Sequence, residues 1–243
     1  MAARFSSCAS ILDFQIPYTL QEIADACQAT LAKNGLVDGY LRPIAWRGSE
    51  MMGVSAQKNR INVAIAAWEW PSYFSPAERL KGIRLTFAKY RRPDPQTAPS
   101  LAKASGLYMI CTISKHEAER RGYADALMLD WEGNVAEATG ANIFFVKDGV
   151  IHTPLADRFL NGITRQTVID LAKARGYEVV ERRISPDELP TFSECWLCGT
   201  AAEVTPVSEI DEFRFTPGKI TETLMNDYTA AVQPAEQKIA ANA

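Results

Sequence analysis

Lys103 stands between Ala102 and Ala104, with Ser105 and Gly106 next, so its amine rises among side chains small enough to leave room for a planar ring. Such a lysine can act as a covalent amine nucleophile toward a carbonyl once it sheds its proton; the ordinary alternative is a solvated helix residue. Leu160-Asn161-Gly162-Ile163-Thr164-Arg165 opens a second helical stretch. There a glycine lets backbone N–H groups approach an anion, Thr164 adds a hydroxyl, and the helix dipole favours negative charge. This pattern suits a phosphate seat, and it also suits a routine capped helix. Cys198-Gly199-Thr200-Ala201-Ala202-Glu203 is a small-residue turn leaving a strand, where amides and the Thr200 hydroxyl could form an anion-binding nest.

Other reactive types carry less. His116 and His152 are far apart and belong to no motif, so both read as structural. Cys195 and Cys198 form a lone C-x-x-C without a second pair or a nearby histidine, and Phe192, Trp196 and Leu197 beside them suggest a buried strand, so no metal is expected. Five cysteines, an odd number, argue against a secreted disulfide framework.

The chain has 243 residues, 47% hydrophobic and 23% charged, and a mean hydropathy of -0.14. That is an ordinary balance for a globular protein with a real core. Its 26 basic and 29 acidic residues are spread along the chain to a net charge of -3. No basic field invites nucleic acid or anionic lipid, so small-molecule partners are expected. No apolar run is long enough to cross a bilayer, and Met1 to Ser10 has too weak an apolar centre for a signal peptide. The expected compartment is the cytoplasm, with no membrane partner.

Several elements must position these groups. Leu20 to Leu36 has helical apolar spacing with Thr19 as N-cap, and Tyr40 to Trp46, Ile61 to Trp70 and Gly82 to Tyr90 read as strands, the second ended by Pro71. The three prolines of 91–99 read as an interdomain connection. Beyond it come helical content from Ser100 to Arg121, a strand Ala124 to Leu129, and a hairpin of Asn142 to Val146 and Val150 to Thr153 turning at Lys147-Asp148-Gly149. A helix from Thr164 to Arg175 is closed by Gly176, a strand runs from Tyr177 to Ile184, and Ser185-Pro186-Asp187-Glu188 is a capping-box start. Strands at Glu194 to Cys198 and Glu203 to Val207 and a helix from Ile220 to Val232 precede a polar, alanine-rich end.

Lys103 with Tyr108, then Ala136-Glu137-Ala138-Thr139-Gly140-Ala141-Asn142-Ile143-Phe144-Phe145, then Gly162-Ile163-Thr164-Arg165, then Gly199-Thr200-Ala201-Ala202-Glu203-Val204-Thr205-Pro206, resembles the class IV pyridoxal-phosphate aminotransferases in order and spacing. The resemblance runs from about Arg4 to the final helix. It implies a fold type IV, α+β architecture in two domains: a small, incomplete N-terminal domain over 1–90, an interdomain loop over 91–97, and a larger β-rich, barrel-like domain over 98–243. Pyridoxal 5′-phosphate would sit in the cleft between them, in a homodimer. Lys103 would carry the cofactor as a Schiff base and shuttle the proton, as catalytic residue. Glu137 would keep the pyridine nitrogen protonated, Tyr108 would hydrogen-bond the ring oxygen, and Gly162, Ile163, Thr164 and Thr200 would hold the phosphate.

Tyr40-Leu41-Arg42-Pro43 resembles the strand by which branched-chain aminotransferases recognise their acids. Strand geometry points Tyr40 and Arg42 to one face, although an exposed strand edge would look the same. By resemblance Arg42 takes the distal carboxylate of glutamate, while the α-carboxylate sits on amides at Thr200 and Ala201 with help from Tyr40. The implied reaction moves the amino group of L-leucine, isoleucine or valine to 2-oxoglutarate, so amino acids and 2-oxo acids are the partners. Alternatives are a D-amino acid or R-amine transaminase, an aminodeoxychorismate lyase, or an inactive remnant that only binds. The last arises because full-length relatives begin several dozen residues earlier, with strands carrying an aromatic Phe-Glu-Gly motif and a phosphate-clamping arginine; Arg4 does not align with that arginine.

Overall fold

The structure, a computed structural model, describes residues 1–70 and 80–232. These divide into two compact units, 1–70 and 80–232. Pro71 and the polar, alanine-rich end lie outside the described residues.

The first unit contains α1 (Ala2–Ile11), α2 (Leu20–Lys33), β1 (Tyr40–Arg47) and β2 (Ile61–Trp68). The helix α2 starts where expected because Thr19 and Glu22 cap each other: the Thr19 amide donates to the Glu22 carboxylate at 2.7 Å, and the Thr19 hydroxyl accepts from the Glu22 amide. One turn apart, Ile23 and Cys27 are its buried residues. The strands β1 and β2 pair antiparallel with Tyr40 opposite Trp68 and Arg42 opposite Ala66. Arg47 ties this ribbon to the end of α1, donating to the Leu12 and Asp13 carbonyls at 2.9 Å each.

The second unit contains β3 (Ile83–Phe87), α3 (Tyr108–Arg120), β4 (Asp125–Leu129), β5 (Val135–Ala138), β6 (Asn142–Lys147), β7 (Val150–Pro154), α4 (Ile163–Ala174), β8 (Val179–Arg182), β9 (Glu194–Gly199), β10 (Glu203–Ile210), β11 (Phe213–Arg214) and α5 (Lys219–Val232). Its sheet runs β5-β4-β3-β10-β9-β6-β7-β8, with β11 on β10. Along β6, Ile143 and Phe145 enter one core cluster with Leu85, Leu127 and Leu197, whereas Phe144 and Val146 enter a second with Val168 of α4 and Leu224 of α5. A sheet buried on both faces explains the continuous apolar run of β6. The β6–β7 turn is a two-residue hairpin in which Asp148 and Gly149 both have positive φ, 52° and 79°, matching the twist of the strands.

Three features depart from the sequence reading. First, β3 pairs in parallel with both β4 and β10. Residues 80–97 therefore group with the second unit, so 91–97 is not a connection between units; Arg92 bridges to Asp130 and its amide donates to the Leu129 carbonyl at 2.7 Å. Second, helical structure begins at Ser105 rather than Ser100: a 3-10 turn, Ser105–Leu107, leads into α3, and Ala104 is extended at φ -102° and ψ 135°. Lys103 thus stands in a loop. Third, β5 and β11 add two short strands to those read from the sequence.

Candidate functional site

Lys103 Nζ donates to Tyr108 OH at 3.0 Å. The loop before α3 and the first residue of α3 together create this contact, which is why five residues of spacing suffice. Both side chains are exposed, so the amine is not withdrawn from solvent in this chain on its own.

Glu137 lies on β5 and is buried. Burial pushes its carboxyl up to about 7, although the Arg92 guanidinium and the Lys103 ammonium both pull it down. Arg92, also buried, brings Nε to 3.3 Å from Glu137 Oε1. That contact is ionic rather than a hydrogen bond, because Nε lacks an aligned acceptor; Nη1 donates to Cys111 Sγ at 3.5 Å. The other carboxylate oxygen, Oε2, accepts from Asn142 Nδ2 at 3.2 Å. A buried acid with opposed influences on its proton, within electrostatic reach of a lysine, is the arrangement expected of a group that holds a proton for chemistry.

Gly162 is the N-cap of α4 and no side chain caps this helix. Its first-turn amides, at Ile163, Thr164 and Arg165, have no intrahelical acceptor by helix geometry and remain available to an anion. Thr164 Oγ1 lies 3.3 Å from Tyr228 OH, which fixes its rotamer, and Ile163 is exposed. The Gly199–Glu203 turn is brought to the same end of the sheet by register: Asn142 pairs with Cys198, and Gly199 sits close enough to Gly140 that an added Cβ would be 3.3 Å from its carbonyl oxygen. Thr200 and Ala201 at the tip are exposed.

The second unit therefore gathers Lys103 with Tyr108, and Glu137 with the Gly162 helix start and the Gly199–Thr200 turn. A phosphorylated pyridine aldehyde needs an amine, a ring-nitrogen acid, a donor to its ring oxygen and an anion seat, and each has a residue here. The acid is the most telling, because burying a carboxyl carries a desolvation cost that its contacts with Arg92 and Asn142 offset only in part. Arg165, by contrast, turns into the fold: it is 1% exposed and donates to Glu181 Oε2 at 2.7 Å and the Pro154 carbonyl at 2.9 Å. Its charge serves the α4 to β8 packing, not a ligand.

In the first unit Tyr40 and Arg42 share a face of β1, as expected. Arg42 Cζ lies 5.4 Å from the Tyr40 ring and 5.2 Å from the Trp68 ring, and Trp70 packs 4.8 Å from Tyr40. Among the described residues Arg42 forms no salt bridge, and its guanidinium lies against these rings. Cys195 and Cys198 fall in different core clusters on opposite sheet faces, both free.

Arg92 and Asn142, which hold Glu137, are not marked as site residues by their sequence context. Asn142 was visible within a motif. Arg92 sat in a polar, proline-rich run that reads as a surface loop, and nothing local distinguishes it from Arg91.

The family model for amino-transferase class IV matches residues 2–210. A probable branched-chain-amino-acid aminotransferase from Rickettsia conorii is 40% identical over 235 residues, covering 95% of this chain and 80% of the relative. Among solved structures, the branched-chain aminotransferase of the archaeon Thermoproteus uzoniensis with norvaline superposes at a TM-score of 0.91 with 36% identity, over 98% of this chain and 79% of that one. The branched-chain amino acid aminotransferase of Thermobaculum terrenum in its PLP-form superposes at 0.86 with 30% identity, over 95% and 76%.

Proposed function

Because the chain belongs to the class IV aminotransferases, we propose that it transfers the amino group of branched-chain L-amino acids to 2-oxoglutarate with pyridoxal 5′-phosphate as cofactor. When bound, that cofactor supplies an electron sink that stabilises the carbanion left at Cα.

The chain's own residues supply the rest. Lys103 provides the amine that holds the cofactor and, once released from it, carries the proton between the substrate Cα and the carbon that receives the nitrogen. Tyr108, already hydrogen-bonded to Lys103 Nζ at 3.0 Å, donates to the ring oxygen and steadies the amine. Glu137 holds a proton at the ring nitrogen; a carboxyl poised at about 7 shares that proton at working pH, and a cationic ring partner draws Glu137 toward its ionised form. The amides of Ile163 and Thr164, the Thr164 hydroxyl and Thr200 take the phosphate. Arg42, backed by Tyr40 and Trp68, takes the distal carboxylate of glutamate, and the amides at Thr200 and Ala201 take the α-carboxylate.

The observation that carries this reading is Glu137: a buried acid held by Arg92 and Asn142, whose carboxyl burial raises to about 7 against the opposing pull of the Arg92 and Lys103 charges. The test is product formation. Purified protein with pyridoxal 5′-phosphate, L-leucine and 2-oxoglutarate should yield equimolar 4-methyl-2-oxopentanoate and L-glutamate; glutamate absent after saturating cofactor would refute it.

A homodimer is part of the proposal. Met109 and Ile113, one turn apart on α3, are 64% and 43% exposed and offer an apolar patch for a second copy, which sedimentation would reveal. Free cysteines at all five positions support a cytoplasmic setting. No described helix is long and apolar enough to cross a membrane.

A further inference from the structure

Beyond its contact with Glu137, Asn142 takes no part in the reaction as derived, yet it is only 5% exposed and both ends of its amide are engaged. Nδ2 donates to Glu137 Oε2 at 3.2 Å and to the Leu160 carbonyl at 3.0 Å, while Oδ1 accepts from the Gly162 amide at 3.2 Å. The orientation is dictated by the partners: the Gly162 N–H can only donate, so the amide oxygen must face it, and the two acceptors require the NH2. One side chain therefore touches both the acid assigned to the ring nitrogen and the residue that starts the phosphate helix.

Gly162 supplies independent support. Its backbone, φ -58° and ψ 145°, is one that any residue adopts, so conformation does not demand glycine there. Space does: a Cβ at Gly162 would fall far inside van der Waals contact with Asn142 Oδ1. The glycine in the motif is explained by the approach of Asn142.

We propose that Asn142 is a positioning residue that sets the separation between the Glu137 carboxylate and the Gly162 end of α4, so that one ligand can meet the ring acid and the phosphate amides together. The ligand class is a phosphorylated pyridine, and the inference rests on the reading of Glu137 and Gly162–Thr164 as the two ends of the cofactor site. A merely structural amide, filling buried hydrogen bonds, would loosen both ends alike. A spacer matters only to a ligand that has both ends.

The measurement is the ratio of dissociation constants for pyridoxal and pyridoxal 5′-phosphate, followed by visible absorbance of the lysine-bound chromophore. Asn142→Ala is expected to reduce the preference for the phosphorylated form about tenfold. Gly162→Ala, whose added Cβ displaces the Asn142 amide oxygen while the asparagine stays in place, should do the same and covers the case of an Asn142→Ala protein that does not fold. A preference kept within about twofold in the folded variants overturns the proposal. A wild-type protein that binds neither probe overturns the cofactor reading as well, and the two failures are told apart by the wild-type titration alone.

Discussion

Arg92 and Glu137 face each other inside the second unit, Nε 3.3 Å from Oε1, with side chains 5% and 11% exposed. They come from segments 45 positions apart that meet because both flank β4: Arg92 bridges in parallel to Asp130, and Glu137 on β5 pairs antiparallel with Met128. Removing one member of a buried pair leaves an uncompensated charge, and Glu137 can limit that cost by taking a proton. Arg92→Met is therefore expected to destabilise the cofactor-free protein by about 3 kcal/mol at pH 8 and by clearly less at pH 5. Urea unfolding at the two pH values checks the difference; equal losses would mean that the ion pair is not the interaction removed.

Glu137 makes a second prediction through linkage. Its folded carboxyl, at about 7, lies above the ordinary 4.5, so between these values the folded state holds a proton that the unfolded chain has released. Stability contributed by this group is present below pH 4.5 and falls as pH rises toward 7, by up to about 3 kcal/mol. Glu137→Gln should flatten that slope in thermal melts of the cofactor-free protein between pH 5 and 8, whatever its effect on stability overall. An unchanged slope would place the proton elsewhere.

Arg42 rests on the Tyr40 and Trp68 rings and has no carboxylate partner among the described residues. Losing a charge-assisted hydrogen bond to substrate costs about 1.5–3 kcal/mol, or roughly 10- to 150-fold. Arg42→Gln should lower kcat/KM for 2-oxoglutarate by that factor and leave kcat/KM for L-leucine nearly unchanged. Equal losses on both substrates would count against recognition of the distal carboxylate.

Burial pushes the Cys195 and Cys198 thiols well up, and they lie on opposite faces of β9. Neither should react with a thiol reagent in the native protein at pH 8, and both should react after unfolding. Rapid native labelling at these positions, read by peptide mass, would contradict the buried strand.

Elements defined by local chemistry were legible in the sequence. The Thr19 N-cap, the Asp148-Gly149 hairpin turn and the apolar run of β6 each act within a few residues, and each formed where expected. What depends on distant pairing was not. The β3 strand reads like its neighbours in sequence, but its partners are β4 and β10, so the boundary between units was set too late. Arg92 was hidden for the same reason: it is buried because its segment runs beside β4, a fact absent from the residues around it. Of the site, the motifs led to Lys103, Tyr108, Glu137 and the Gly162 helix start, whereas the network that holds Glu137 emerged only from the three-dimensional structure.

Absorbance tests most directly whether Lys103 carries a cofactor that accepts an amino group. Pyridoxal 5′-phosphate added to purified protein should produce the visible band of a lysine-bound chromophore, L-leucine should bleach it, and 2-oxoglutarate should restore it. Lys103→Ala should show none of the three changes. A band that forms equally in Lys103→Ala, or that L-leucine leaves untouched in the unaltered protein, would contradict the account.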